Sequence, residues 1–146
     1  MIVVKQILAS ETVNIRHQVL RVGKPIESCL FDNDDLSTTL HFGIFENNIL
    51  KGVVSVFEKQ NSIFETSSQV QIRGMAILPY IQGRGFGKML LKFVENHLKI
   101  SKKPFIWFNA RISAMMFYKK MGYLQRGKTF DIPNVGLHLL MYKNIL

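Results

Sequence analysis

Residues 73–88 read RGMAILPYIQGRGFGK, an apolar strand followed by a turn rich in glycine and then by the start of a helix. Pro79 ends the strand because its backbone lacks an N–H group. Glycine has no Cβ atom, so a phosphate can approach the backbone of this turn closely. The turn also exposes backbone N–H groups at the N-terminus of a helix, where anions bind. The stretch therefore predicts a phosphate-binding turn, with Arg84 and Lys88 adding positive charge beside it.

Two common phosphate-binding motifs do not fit this turn. A Walker loop, G-x-x-x-x-G-K-[ST], anchored on Gly87 would need glycine at Gln82 and serine or threonine at Met89. A dinucleotide-binding fingerprint, G-x-G-x-x-G, starting at Gly83 would need glycine where Lys88 stands. The pattern [QR]-x-x-G-x-[GA] fits at every fixed position when it is read from Gln82 as QGRGFG.

The whole chain, this stretch included, predicts seven strands and three helices. The strands are expected at residues 2–8, 38–46, 49–58, 69–78, 104–108, 123–130 and 135–143. The helices are expected from an N-cap at Ser10 to Gly23, from Gly85 to Leu98, and from Ala114 to Met121 with Gly122 as the C-cap. The predicted order is therefore β-α-β-β-β-α-β-α-β-β.

Three of these segments indicate how the elements pack. Asn47 and Asn48 join two strands, and asparagine tolerates the positive φ of a tight hairpin turn. Residues 104–108 are wholly apolar, as is typical of a central parallel strand covered on both faces. The helix from Gly85 repeats apolar residues at intervals of three and four, which predicts an amphipathic helix packed on a sheet.

The composition predicts a single globular domain over residues 1–146, since 47% of the residues are hydrophobic and 20% are charged. No apolar run approaches the ~20 residues that span a bilayer, and the N-terminus lacks the pattern of a signal peptide. Cys29 is the only cysteine, which excludes an internal disulfide and a cysteine-based metal site. These features predict a cytoplasmic protein without a membrane partner.

The net charge of +9, from 19 Lys and Arg against 10 Asp and Glu, indicates an anionic partner. That partner could be a nucleic acid, a membrane surface or a polyphosphate cofactor. The chain has no helix-turn-helix, RNP or basic-region pattern, which argues against a nucleic-acid-binding domain. Asp32, Asp34 and Asp35 suggest part of a calcium loop, but the glycine and the final glutamate of such a loop are absent. No metal site is therefore expected.

The pattern at Gln82 resembles the pyrophosphate-binding motif of the GNAT superfamily of N-acetyltransferases. The strand before it, the helix after it and the downstream residues stand where that superfamily places them: Asn109, Tyr118 and Gly122-Tyr123. More narrowly, four segments resemble, in the same order, the ElaA-like branch of small bacterial GNAT proteins: Asp34-Asp35-Leu36, His41-Phe42-Gly43, Phe117-Tyr118 with Gly122-Tyr123, and Gly136-Leu137-His138. The resemblance implies an α/β (α+β) GNAT fold with three layers, whose central mixed, mostly antiparallel sheet is splayed at the CoA site.

The resemblance further implies an N-acetyltransferase that moves an acetyl group from acetyl-CoA to an unidentified small-molecule or protein amine, by direct attack in a ternary complex. Acetyl-CoA would be a co-substrate, without a metal. The residues expected to bind it are Met75, Ala76, Ile77, Gln82, Gly83, Arg84, Gly85, Phe86, Gly87, Lys88, Asn109 and Tyr118. The backbone of Met75 and Ile77 would pair with the pantetheine arm, and Asn109 would bond its amides or cap the next helix.

The candidate catalytic residues are Tyr118, His41 and His138, of which only Tyr118 follows from the resemblance. Tyr118 matches the general acid that protonates the departing thiolate, although its apolar neighbours also suit a place in the core. The general base stays open, with His41 first, His138 second and Glu27 third, because each histidine could also be a hydrogen-bonded core residue.

Two further functions stay open on the sequence. One is a GNAT fold that binds CoA as a regulatory module without turnover, and the other is the basic nucleic-acid-binding domain. Pairing of late strands from two chains would give a homodimer.

Overall fold

Seven strands form one mixed sheet in the computed structural model, which describes residues 1–146. The strands are β1 (Ile2–Ile7), β2 (Leu40–Glu46), β3 (Ile49–Glu58), β4 (Gln69–Ile77), β5 (Phe105–Arg111), β6 (Leu124–Ile132) and β7 (Gly136–Asn144). The helices are α1 (Ala9–Val19), α2 (Phe86–Ile100) and α3 (Met115–Lys120), and short 3-10 turns cover Ile26–Cys29, Pro79–Ile81 and Ile112–Ala114. The predicted order of elements is confirmed. No helix among them is long and apolar enough to cross a membrane.

The sheet runs in the order β1-β2-β3-β4-β5-β7-β6, and every neighbouring pair is antiparallel except β4 with β5. Helix α1 covers one face, where Arg16 bonds to Ser55 of β3. Helix α2 covers the other face, where Phe93 packs edge-on against Phe42 of β2. This arrangement confirms the predicted three layers and the mixed, mostly antiparallel sheet.

Turn chemistry explains where several elements begin and end. Asn47 and Asn48 both have positive φ, at 51° and 68°, so the predicted hairpin between β2 and β3 is confirmed. The prediction that Ser10 caps α1 is wrong, because the helix begins at Ala9 and the Glu11 carboxylate accepts the N–H of Leu8 at 2.9 Å. The glutamate satisfies the free N–H at this end, so Ser10 lies inside the helix.

A β-bulge at Gly74 opens the sheet between β4 and β5. The register with β3 shifts between Val53 and Ser55, and Gly74 has φ +64° in the middle of β4. A bulge bends its strand, and β4 pairs with β5 only from Gln69 to Gln71. Beyond that point the two strands diverge, which confirms the splayed sheet. A Cβ atom at position 74 would lie 2.9 Å from the Phe31 ring, so the bulge needs glycine.

Candidate active site

The glycine-rich turn between β4 and α2 presents its backbone to open space. Gly83 and Gly85 both have φ +85°, and a Cβ atom at either position would meet no atom within 4 Å. The first helical bond of α2 runs from the N–H of Met89 to the carbonyl of Gly85 at 3.0 Å. The N–H groups of residues 86–88 therefore have no acceptor in the helix and are free for an anion. The side chains of Ala76 and Phe86 are buried in the core, so only their backbones can contact a ligand.

Two side chains fix this turn to neighbouring strands. The amide of Gln82 donates to the Ile77 carbonyl at 2.9 Å, which ties the turn to the end of β4. Arg84 forms a bidentate pair with Glu46 at 2.6 and 3.2 Å. The hydrogen bond from Arg84 holds the pKa of Glu46 below its ordinary value. Lys88 is exposed and forms no ion pair, so its charge remains free beside the turn.

A cavity of about 380 Å³ lies where β4 and β5 diverge. Residues 71–75 of β4 and 108–111 of β5 form its walls, together with Tyr118 from α3 and His138 from β7. Phe31 from the loop after the first 3-10 turn lines it as well. The volume falls in the range that small-molecule sites occupy in proteins, about 300–1,000 Å³.

Contact through Met75 joins the glycine-rich turn to this cavity. A Cβ atom at Gly87 would lie 3.5 Å from the terminal methyl group of Met75 and 3.4 Å from the ring of Phe117. The Met75 sulfur in turn lies 3.8 Å from the hydroxyl oxygen of Tyr118. The start of α2, the bulged part of β4 and the aromatic side chains of α3 thus form one continuous surface.

Tyr118 is half-buried, and its ring packs against Phe108 at 4.4 Å and Phe117 at 5.1 Å between centroids. Tyr118 lines the cavity, and its hydroxyl donates only to the weak acceptor sulfur of Met75. Burial raises the pKa of Tyr118 to about 12, so the hydroxyl keeps its proton at neutral pH. Tyr118 therefore packs in the core and also lines the cavity.

His138 lies in the cavity wall with a defined tautomer. Its Nδ1 lies 2.8 Å from the Gly136 carbonyl oxygen, and because a carbonyl only accepts, Nδ1 carries the hydrogen. The other ring nitrogen, Nε2, has no partner in the chain and keeps a lone pair in the neutral ring. Arg111 of β5 lies directly opposite His138 in the register with β7. Asn109 also lines the cavity, and it belongs to β5, so it does not cap α3, whose N-cap is Ala114.

His41 is not brought to the cavity, contrary to the expectation that it could face the acceptor. It is 4% exposed, and both of its ring nitrogens are bonded. The hydroxyl of Ser55 lies 2.6 Å from Nδ1, and Nε2 donates to the backbone carbonyl of Asp34 at 2.9 Å. With the hydrogen of the neutral ring on Nε2, Nδ1 is an acceptor, so the Ser55 hydroxyl donates to His41 while its oxygen accepts from Arg16. His41 is thus a satisfied core histidine. Glu27 is exposed and lies outside the cavity lining.

The acidic loop is held by an arginine. Asp34 accepts from the fully buried Arg16 through both carboxylate oxygens, at 2.6 and 2.9 Å. It also accepts from the N–H of Phe31 at 2.9 Å. The guanidinium of Arg16 stacks on the Phe31 ring at 3.8 Å, so this ion pair places Phe31 in the cavity wall. No group of three His, Cys, Asp or Glu side chains is arranged to hold a metal ion.

The lining residues that the sequence did not predict include Arg21, Phe31, Arg73 and Arg111. Arg73 stands immediately before the bulge glycine, but nothing in the sequence identifies Gly74 as a bulge. Phe31 lies in a loop, and its position depends on a pair between residues 18 positions apart. Neither placement leaves a local pattern that the sequence could show.

The family described as "Acetyltransferase (GNAT) domain" matches residues 30–139 of the chain. The chain belongs to this family. A relative from Bacillus subtilis (strain 168), described as "Uncharacterized N-acetyltransferase YitI", is 33% identical over 145 residues, which is 99% of this chain and 97% of that protein. A solved structure from Lactobacillus plantarum has a TM-score of 0.81 at 16% identity and covers 99% of both chains. Escherichia coli ElaA has a TM-score of 0.75 at 18% identity, over 99% of this chain and all of that one.

These comparisons confirm the GNAT superfamily, its fold and an N-acetyltransferase. At 18% identity, the similarity to ElaA shows a shared fold alone. The ElaA-like branch, the cytoplasmic location and the homodimer therefore stay predictions from the sequence.

Proposed function

We propose that the protein transfers an acetyl group from acetyl-CoA to a primary amine by direct attack in a ternary complex. The observation that carries the proposal is the continuous surface from the glycine-rich turn through Met75 to Tyr118. It joins an anion site to a cavity that contains a proton donor and a histidine with a free lone pair.

The residues present fit a molecule of CoA. The free N–H groups of residues 86–88 and the positive φ of Gly83 and Gly85 suit its pyrophosphate. Beyond Gln71 the edge of β4 has no partner strand, so its backbone groups near Met75 can pair with the pantetheine amides. Acetyl-CoA, when bound, supplies an acetyl group activated as a thioester. The residues proposed to bind acetyl-CoA remain those predicted from the sequence, with Ala76 and Phe86 contributing only their backbones because their side chains are buried.

His138 and Tyr118 are the groups best placed to move protons. The lone pair of His138 Nε2 accepts a proton from the incoming amine, and the Nδ1 hydrogen bond to Gly136 holds the ring in that tautomer. Tyr118 donates its hydroxyl proton to the departing sulfur. Its raised pKa keeps the hydroxyl protonated until that step. The proposal therefore replaces His41 by His138 as the first candidate for the general base.

The donor site is tested by a thermal-shift titration with acetyl-CoA in the wild type and in two glycine variants. Gly85→Glu places a carboxylate in the turn, where it would repel a phosphate. Gly127→Glu is the matched control, because Gly127 also has positive φ and open space around its Cβ position but lies in β6 outside the cavity. At a ligand concentration 100-fold above Kd, binding adds about 2.7 kcal/mol of stability, or roughly 5–10 °C for a chain of this size.

We expect a saturable rise in melting temperature in the wild type and in Gly127→Glu, and none in Gly85→Glu. Release of free CoA thiol in the presence of amines would then show turnover. An equal rise in Gly85→Glu would show that acetyl-CoA does not bind at the turn. Binding without turnover on any amine would favour the non-catalytic CoA-binding module, and no rise at millimolar acetyl-CoA would overturn the donor site and favour the nucleic-acid-binding alternative.

A further inference from the structure

The charged side chains that line the cavity are all positive. Three arginines line it, Arg21, Arg73 and Arg111, together with His138. No aspartate or glutamate belongs to the lining. A cavity of one sign of charge with partly buried walls concentrates ligands of the opposite sign.

These arginines have no carboxylate partner in the chain. The structure contains five ion pairs, and none of them includes Arg21, Arg73 or Arg111. The single side-chain hydrogen bond of Arg21 goes to the Leu20 carbonyl at 3.3 Å. The nearby carboxylate of Asp34 is already bound by both terminal nitrogens of Arg16. Asp34 and Asp32 attract Arg73 without forming an ion pair with it, so the cavity keeps a surplus of positive charge.

Arg73 is the most constrained of the three. It is half-buried, with its guanidinium 4.8 Å from the centre of the Phe31 ring and 5.6 Å from that of Phe57. Burial lowers the pKa of Arg73, and repulsion from Arg16 lowers it further. The two rings hold the guanidinium in place, while its hydrogen-bond donors have no acceptor in the chain. Such a group is ready to bind a carboxylate or a phosphate.

The strand register places these charges on the side of the sheet away from the donor turn. Gln71 pairs with Trp107, so Arg73 and Asn109, each two residues further on, point to the same face. Arg111 and His138 share that face because they lie opposite each other and Arg111 is two residues beyond Asn109. It is the face that α1 covers, whereas α2, which begins at the glycine-rich turn, covers the other. The arginines thus stand where the acceptor would enter rather than beside the phosphates of the donor.

We propose that the acceptor is a small amine that carries a carboxylate or phosphate group, which Arg73 and Arg111 bind while its amino group faces His138. This inference rests on the proposed acetyl transfer. Guanidinium groups bind carboxylates and phosphates through paired hydrogen bonds. A polycationic amine would instead meet uncompensated positive charges. The cavity of about 380 Å³ suits a small molecule rather than a folded protein surface.

Matched pairs of amines test the charge preference. Glycine is compared with glycinamide, and O-phosphoethanolamine with ethanolamine, with spermidine as the cationic probe and an acidic peptide as the macromolecular one. Initial rates of CoA release give kcat/KM, expressed per unprotonated amine. Hydrogen bonds to charged groups predict a preference of about 10- to 100-fold for the anionic member of each pair. The ratio between the two pairs then identifies whether the anion is a carboxylate or a phosphate.

Three variants test which residues cause the preference for anionic amines. Arg73→Gln and Arg111→Gln should lower kcat/KM for the anionic amine at least about tenfold, mainly through KM, with little change in acetyl-CoA affinity. Arg126→Gln is the control, because Arg126 is exposed on β6, forms no ion pair and lies outside the cavity. Its rates should match the wild type.

Calorimetry adds a measurement that does not depend on turnover, by comparing the binding of N-acetylglycine with that of N-acetylglycinamide. Tighter binding of the acid, lost in Arg73→Gln, supports the inference. Equal binding of the two, preferred acetylation of neutral or cationic amines, or faster acetylation of the peptide would overturn it while leaving the acetyl transfer intact. Failure of acetyl-CoA to bind at the turn would instead overturn the proposed function itself.

Discussion

Asp34→Asn removes the charge that neutralises a fully buried arginine while keeping the shape of the side chain. Arg16 is 0% exposed and Asp34 is 7% exposed, so little water can replace the lost carboxylate. Both carboxylate oxygens accept from Arg16, and one also accepts from the N–H of Phe31. Asparagine has only one acceptor oxygen, so its amide group would place hydrogens against those of the guanidinium. The variant therefore leaves an uncompensated charge in the core.

Removal of one partner from a buried ion pair costs about 3–5 kcal/mol. The free energy of unfolding of a domain is about 5–15 kcal/mol, so the variant should still fold. For a chain of this size each kcal/mol lowers the melting temperature by roughly 2–4 °C, so a loss of about 3–5 kcal/mol predicts a fall of about 6–20 °C. Phe31 should also loosen, because Arg16 holds its ring, and the KM for the acceptor should rise.

Urea and thermal unfolding followed by circular dichroism measure the effect. Asp35→Asn is the control, because it makes the same chemical change at the neighbouring exposed residue and should alter stability by less than about 0.5 kcal/mol. The double variant Arg16→Met with Asp34→Leu removes both charges and should recover much of the loss. If Asp34→Asn were as stable as Asp35→Asn, the argument that this ion pair holds the loop to the sheet would be refuted.

The same pair makes a prediction about pH. Burial by itself would raise the pKa of Asp34, but hydrogen bonds from Arg16 and from the N–H of Phe31 outweigh it and lower the pKa below its ordinary value of 3.8. A lowered pKa in the folded state stabilises the protein above the ordinary pKa, and this stabilisation is lost as the pH falls through the lowered value. The stability difference between wild type and Asp34→Asn should thus be constant from pH 7 to about 5 and should narrow below about pH 4. A difference that widened in acid would contradict this account.

The remaining predictions concern Tyr118 and His138, the two groups proposed to transfer protons, and His41. Tyr118→Phe should lower kcat by about 10²-fold or more with little change in acetyl-CoA affinity, because it removes only the proton donor. The control Tyr80→Phe, at an exposed tyrosine, should leave kcat unchanged. An unchanged kcat in Tyr118→Phe would show that Tyr118 is not the proton donor. His138→Gln should lower kcat/KM by a similar factor, measured by thiol release, because it removes the lone pair that accepts the proton. His41→Gln should instead lower the melting temperature and leave kcat within about twofold, since both ring nitrogens of His41 serve buried hydrogen bonds. The reverse pattern for the two histidines would make His41 the base.

Local patterns were enough to predict the order of the elements and the donor turn. Asn47 and Asn48 specify a tight turn through their own backbone preference, and the glycines after Ile81 do the same for the turn proposed to bind phosphate. The apolar repeat in α2 predicts a helix on a sheet because helical periodicity depends only on neighbours three and four positions away. Ser10 shows the limit of such reasoning, since a glutamate one residue later supplies the cap instead.

The acceptor side could not be predicted in this way. His41 and His138 have similar surroundings in the sequence, and only the sheet register shows that one is enclosed by Ser55 and Asp34 while the other faces the cavity. The opening between β4 and β5 begins at the bulge at Gly74, where an added Cβ atom would lie 2.9 Å from Phe31, more than forty residues earlier in the chain.

The sequence by itself thus determined the family, the order of strands and helices and the turn that would bind a phosphate, because each depends on residues close together in the chain. The tertiary structure alone decided which histidine faces the cavity and that the cavity is lined by Arg21, Arg73 and Arg111 without a carboxylate. Those properties depend on which side chains the sheet register and the Arg16–Asp34 pair bring together, over distances in sequence that no local pattern records.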